Sequence, residues 1–217
     1  MNLRPVVLSL ALLAVPPASR SAASPTSSAA LLVQQGEKSE ADGEELIALQ
    51  RYRDAIAIDG TSERAYLRLG ALRAKRNELF EAESVFDVGL ARVPASVDLY
   101  LGRAKVRRVR GHFFDAQDDL RHAMQLEGAT SSPRELAVVR EIIALAREAK
   151  LQTTELAAWR RALAIGHKLG DEGLIKESSI HARALGLFVG DVDPVLGGRA
   201  LGDPLRKSLA SVARRGG

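Results

Sequence analysis

Cysteine is absent from the 217 residues, which excludes disulfides, thiolate nucleophiles and cysteine-ligated metal sites. Aromatic residues make up only 4% of the chain. A single core of this size leans on Phe, Tyr and Trp, whereas a stack of Ala- and Leu-rich helices packs through small residues, so the shortage points to helices. The motifs of chemistry are missing as well: no Gly-x-Ser-x-Gly, no Ser-x-x-Lys, no phosphate-binding loop and no Gly-x-Gly-x-x-Gly occurs. His112, His122, His167 and His181 are scattered without an i,i+4 pair or a carboxylate at metal spacing. Asp191-Val192-Asp193-Pro194 offers two acids and no following ladder of calcium ligands, so it reads as a turn. Catalysis has nothing here to build on, and the sequence predicts a protein that is not an enzyme, with no metal and no cofactor.

Charge of one sign is also in short supply. The formal net charge is +4; Arg4 and Arg20 lie in the segment 1–23, which holds no acid, and without them 29 bases face 27 acids. Arginine outnumbers lysine 24 to 7, but no basic run with interleaved aromatics occurs, so nucleic acid is not an expected partner.

The chain opens with Arg4 in a short basic start and an apolar run of ten residues, Val6–Val15. As a helix that run reaches about 15 Å, half the ~30 Å of a bilayer core, so it is too short for a spanning anchor. Pro16-Pro17 ends it, and Ser21-Ala22-Ala23 supplies small residues for cleavage. The pattern is that of a secretory signal peptide over 1–23, which predicts a periplasmic or extracellular protein. Residues 24–30 are expected to form a flexible linker.

Beyond that point a period of 34 emerges. Tyr66, Gly70, Ala82, Phe86, Gly89 and Pro94 are answered one period later by Tyr100, Ala104, Ala116, Leu120, Ala123 and Gly128. A unit of this length with small residues at fixed offsets is a helix pair that cannot bury its own apolar face and must stack on copies of itself. Pro94 ends its helix because the ring and missing N–H stop the hydrogen-bond ladder. Gly70 and Ala82 are expected where the paired helices come closest, with Phe86 filling the wedge towards the next helix. Upstream, Tyr52, Ala55 and Gly60 match a second helix, and Gly36 falls in the small position of a polar first helix. Downstream, Ser132-Pro133-Arg134-Glu135 combines an N-cap, a first-turn proline and a capping-box Glu. The helix it opens is paired with one containing Trp159 and Ala162, about five residues out of phase, with Glu155 at a place that should be small. Residues Asp171–Val189 read as a further helix covering the last exposed face.

These residues resemble the tetratricopeptide repeat family, most clearly over 63–130 and more weakly over 30–62 and 131–169. The resemblance implies an all-α, right-handed solenoid of antiparallel helix pairs with C-terminal capping helices. The array would cover 31–169, divided at about 31–62, 63–96, 97–130 and 131–169, with a capping helix over 170–190. A loop and a short basic amphipathic helix carrying Leu205, Leu209, Val212, Arg214 and Arg215 would follow over 191–217. Arg73, Arg103 and Arg107 depart from the family, standing where apolar residues are usual; either the helices are rotated or the long stems run over the groove towards water.

In the family's superhelix the first helices line a concave groove. Here their face opposite the small residues carries Arg64, Arg68, Lys75, Lys105 and Arg108, with Arg140 and Arg147 in the fourth unit and Glu37 and Glu40 upstream. The resemblance therefore implies a protein-interaction scaffold whose partly basic groove takes a protein or peptide segment, acidic for preference. The family's carboxylate clamp of Lys and Asn does not carry over, because Val33, Glu37, Leu67, Ala71, Gly102 and Glu141 stand at those places. Two other readings remain: an envelope assembly factor peripheral to a membrane, docked through the basic C-terminal helix, and an accessory subunit of an enzyme.

Overall fold

The computed structural model describes residues 25–189, and these form nine helices with no strand among them. In chain order they are α1 (Pro25–Ala41), α2 (Glu45–Ile58), α3 (Glu63–Lys75), α4 (Leu79–Arg92), α5 (Val97–Val109), α6 (Phe113–Glu127), α7 (Pro133–Glu148), α8 (Gln152–Leu169) and α9 (Glu172–Val189). The expected signal peptide and the expected loop and basic helix of 191–217 lie outside the described residues. The linker expected over 24–30 is corrected: α1 is helical from Pro25, and Ala29 is buried to 1% exposure against the next helix. Proline at a helix start costs nothing, since its absent N–H has no partner there, and Ala29 and Val33 give α1 an apolar side four residues apart.

Each first helix turns into its partner through three residues. Gly43, Asn77 and Gly111, spaced by the period, take left-handed φ of 81°, 61° and 79°. The residue after each returns its N–H to a carbonyl five residues back: Glu44 to Ser39, Glu78 to Arg73, His112 to Arg107, at 2.7–2.9 Å. This closure reverses the chain and satisfies carbonyls the helix end would leave open. The fourth turn repeats it with Lys150 at φ 59°. One period after Gly111 stands Leu145, still inside α7, so the slip of five falls before this turn. Most of the extra length is in α7, which has 16 residues where α3 and α5 have 13. Ser132 accepts from the Glu135 N–H at 2.9 Å as a cap should, but the Glu135 carboxylate bonds the Ser131 N–H, one residue earlier than a capping box requires.

Packing is between neighbours only. Each hydrophobic cluster joins three consecutive helices or little more, from Ala29, Tyr52 and Leu69 at one end to Ile143, Trp159 and Leu174 at the other. Aromatic rings lie in slots left by glycines. A Cβ on Gly36 would come within 2.6 Å of the Tyr52 ring, and one on Gly70 within 2.5 Å of the Phe86 ring. The space at Gly70 is thus taken by Phe86 more closely than by the facing Ala82. The same ring also fills the space at Gly102, where a Cβ would stand 2.6 Å away, so Phe86 sits between α3 and α5. In the next unit Ala104 replaces the glycine and Leu120 replaces the ring, both buried. A smaller partner leaves room for the added methyl.

Arg73, Arg103 and Arg107 follow neither expected arrangement. Their side chains are only 15–18% exposed and end on carboxylates. Arg103 places Nε and Nη2 at 3.0 and 2.6 Å from Asp119, whose side chain is 2% exposed, and Arg107 adds a third bond at 2.9 Å. Asp87 and Glu83 of α4 then take the remaining donors of Arg103 and Arg107. The guanidiniums therefore bind α5 to α4 and α6 in place of the apolar contacts the repeat pattern would use.

Candidate functional site

Successive first helices touch one another, α1 to α3, α3 to α5 and α5 to α7, so together they floor one face of the stack. The seven cations predicted to serve that face meet different fates. Arg64 forks onto Glu37, with Nε at 3.0 Å and Nη2 at 2.7 Å. Arg68 bonds Glu40 at 2.8 Å and the Tyr52 hydroxyl at 3.4 Å, while that hydroxyl donates to Glu40 at 2.9 Å. Lys75 lies off the face, reaching Glu45 at the start of α2 at 2.9 Å. Arg108 is held by Glu141 and Glu148 of α7. Four of the seven are thus matched by carboxylates of a neighbouring helix, and the expected basic groove is largely neutral along α1, α3 and α5.

These pairs shape the local electrostatics. Burial works against the charge of Arg68 and Arg108, yet hydrogen bonds to Tyr52 in one case and to Glu141 in the other raise both above the ordinary guanidinium value. Glu45 is held below the ordinary carboxylate value of 4.5 by hydrogen bonds from Lys75 and then Arg76. Burial pushes the Tyr52 hydroxyl up to about 12.

Lys105 and Arg140 are different. Both are exposed, and among the described residues no carboxylate lies within ion-pair distance of either. Arg147 is shared, bonding Glu155 at 3.0 Å while its own side chain remains 56% exposed. Arg140 and Arg147 converge on a cleft of about 350 Å³ between α7, α8 and α9, floored by Ile143, Trp159 and Leu174. Glu177 and His181 of α9 form its far side.

The cleft exists because the rule of touching first helices fails at its last step: α7 and α9 make no direct backbone approach. Trp159 stacks on His181 with ring centroids 4.3 Å apart and planes 12° from parallel, and both rings line the cleft. Phe86 lies against glycines on both sides, which allows α3 and α5 to close. Glu155, at the place expected to be small, is 8% exposed and satisfied by Arg147 and by the Trp159 Nε1–H at 3.3 Å. In the sequence Trp159 is only a core position and His181 one of four scattered histidines. The signal that points here is the lone tryptophan in the one out-of-phase repeat.

Among the described residues no group of three metal-ligating side chains occurs, and no helix is long and apolar enough to cross a membrane. No protein-family profile matches the sequence, and no curated protein matches it. Solved structures do match in shape. A tetratricopeptide repeat protein from Parabacteroides merdae superposes with a TM-score of 0.56 at 13% identity, over 75% of this chain; the match spans 59% of that protein's length. TTC0263, a protein of the same repeat class from Thermus thermophilus, gives 0.53 at 18% identity over 84% of this chain and 97% of its own. PilW, described as a type IV pilus biogenesis factor, gives 0.53 at 16% identity over 72% of this chain and 77% of its own. The likeness is one of architecture: this chain has the tetratricopeptide-like fold, an all-α helical repeat.

Proposed function

We propose that the chain is an exported, non-catalytic scaffold that holds a partner protein by a segment laid on its first-helix face, anchored at the α7–α8–α9 cleft. The observation that carries this reading is the contrast between cations. Arg64, Arg68 and Lys75 of α3 and Arg108 of α5 are matched internally, whereas Arg140 is unmatched and Arg147 half-free, both at the rim of an apolar floor. Such a site favours an apolar side chain with a carboxylate beside it: the floor accepts the first and the arginines pair with the second. Lys105, one unit away on the same face, extends the positive track that a longer acidic segment would follow. The apolar start of the sequence and its small-residue cleavage pattern support export.

The test is crosslinking in the native envelope fraction, comparing the parent chain with Arg140→Glu/Arg147→Glu and with Arg64→Glu. The cleft variant is expected to lose a specific crosslinked protein that the parent and Arg64→Glu retain. An identical set from all three would overturn the cleft as the anchor. N-terminal sequencing of the same material is expected to begin near Ser24; an intact Met1 in the cytosolic fraction would overturn export.

A further inference from the structure

The ionisable side chains that line the cleft are Arg140, Arg147, Glu177 and a single histidine, His181. Guanidiniums stay positive and carboxylates ordinarily stay negative through neutral pH, whereas histidine is the side chain that changes charge between about pH 5 and pH 8. His181 is half-buried, and its imidazole lies almost flat on the Trp159 indole with centroids 4.3 Å apart. The one group able to alter the charge of the cleft thus sits on its floor.

No carboxylate is committed to that histidine. Among the described residues none lies within ion-pair distance of it, although Glu177, one turn earlier on α9, lines the same wall. From α8 it meets the Trp159 ring, and Glu155 is already taken by Arg147 and by the indole N–H. Arg160 and Arg161 leave α8 roughly 100° and 200° around from Trp159, and Arg161 ends on Glu135 of α7. Lys176 and Arg183 stand on other sides of α9 from His181 by the same geometry. Across the cleft α7 presents Arg140 and Arg147. An imidazolium here is attracted by the indole face and by Glu177 and repelled by the two guanidiniums.

A carboxylate bound by the arginines shifts this balance. It offsets the repulsion between the guanidiniums and a protonated His181 and attracts the imidazolium in its own right. Proton and carboxylate therefore favour each other's binding, and the coupling is reciprocal: whatever factor the ligand adds to proton affinity, the proton adds to ligand affinity. Neutral His181 does something different, since its stacked ring only widens the apolar floor beside Trp159.

We propose that His181 regulates the cleft by protonation: neutral, it leaves two arginines over an apolar floor, and protonated, it supplies a third cation, so that an acidic segment is held more tightly below about pH 6 than at about pH 8 and takes up a proton as it binds. The inference rests on the reading of the cleft as the anchor for such a segment and adds the regulation of that site.

The chain has one tryptophan, so its emission reports this stack directly. An imidazolium quenches a stacked indole by accepting an electron from its excited state, which neutral imidazole does not do. Emission of the full chain is expected to fall between about pH 8 and pH 5.5 in the parent and in His167→Gln, the exposed histidine of α8. It should stay level in His181→Phe, which keeps a ring on the indole with no proton to gain, and in His181→Gln. The binding probe is a short peptide, acetylated and amidated at its ends, with leucine followed by glutamate at its centre, titrated at the same two pH values and constant ionic strength. Its Kd in the parent is expected to be about fivefold lower at the acid value and to be equal at both in the two His181 variants. Level emission in the parent, an equal Kd at the two pH values, or a pH ratio kept by both His181 variants would overturn the proposal. The cleft reading survives each of these as long as Arg140→Glu/Arg147→Glu abolishes binding of the peptide. Peptide that fails to bind the parent, or binds indifferently to that double variant, would overturn the cleft reading and this inference with it.

Discussion

Asp119 is among the most heavily bonded polar residues of the described stack. Its carboxylate accepts three bonds from Arg103 and Arg107 while being almost wholly covered. Burial of Arg103 opposes its charge, yet hydrogen bonds to Asp119 and Asp87 raise its pKa above the ordinary value. Removing one partner leaves charge under cover with no counterion, so Asp119→Ala is expected to cost about 3 kcal/mol in urea unfolding. Replacing the set together, Arg103→Leu/Arg107→Leu/Asp119→Leu, is expected to restore most of that loss, because apolar packing substitutes for a pair whose desolvation is expensive. A triple variant no more stable than Asp119→Ala would show that geometry, and not charge, is what this network provides. The arginines are visible in the sequence as departures from the repeat pattern. Their carboxylate is not, since Asp119 belongs to another helix, well over one turn away in the chain from either arginine, and nothing local marks it.

Within a unit, the fit between ring and glycine governs how closely helices approach. Gly36 with Tyr52, Gly70 with Phe86 and Ala104 with Leu120 are the same pair of positions, always at one offset in the chain, filled at nearly constant volume. Gly70→Ala is therefore expected to destabilise, the overpacking of about 1–3 kcal/mol exceeding the roughly 1 kcal/mol that alanine gains in a helix. Phe86→Leu alone leaves a void, and the double variant recreates the pair found at Ala104 and Leu120. In a thermal double-mutant cycle the double variant should be more stable than the sum of the singles predicts. Strict additivity would mean that the ring and the glycine do not share one space. The spacing that reveals these pairs is a sequence property. That Phe86 also serves Gly102 in the following unit is not, because it depends on how one hairpin is laid on the next.

Across the whole stack, carboxylates held by neighbouring helices set a pH window for stability. Glu45 and Glu78 lie below the ordinary value of 4.5, chiefly through hydrogen bonds from Lys75 and Arg76 respectively. Glu83 is also lowered: burial raises it, but Arg107 and Arg110 together prevail. The Ser132 and Thr130 hydroxyls lower Glu127. For each group the unfolded chain binds the proton more tightly, so the stabilisation is present above about pH 4.5 and is lost as pH falls through the folded-state values. Tyr52, raised from 10.0 to about 12 by burial, works at the other limit: its contribution is present below pH 10 and is lost as pH rises towards 12. Urea midpoints should accordingly be level between about pH 5 and pH 9 and decline on both sides. A midpoint that stayed constant down to about pH 3 would show that these pairs add nothing to folding.

What the sequence determined by itself was everything that repeats: the helix pairs, their period, the glycines and rings, and the slip of phase before Trp159. These follow from local rules of helix periodicity, turn geometry and side-chain volume, which act over one unit and are written in its residues. It placed Arg64, Arg68, Lys75, Lys105, Arg108, Arg140 and Arg147 as one charged series, because all fall on the first-helix face opposite the small residues. Tertiary structure divided that series. A charged side chain on one helix meets its counterion 27 to 40 residues away in the chain, and that meeting is decided by the stagger and tilt of one hairpin on the next. The same packing left α7 and α9 apart over Trp159 and His181, giving the stack a cleft that no period records.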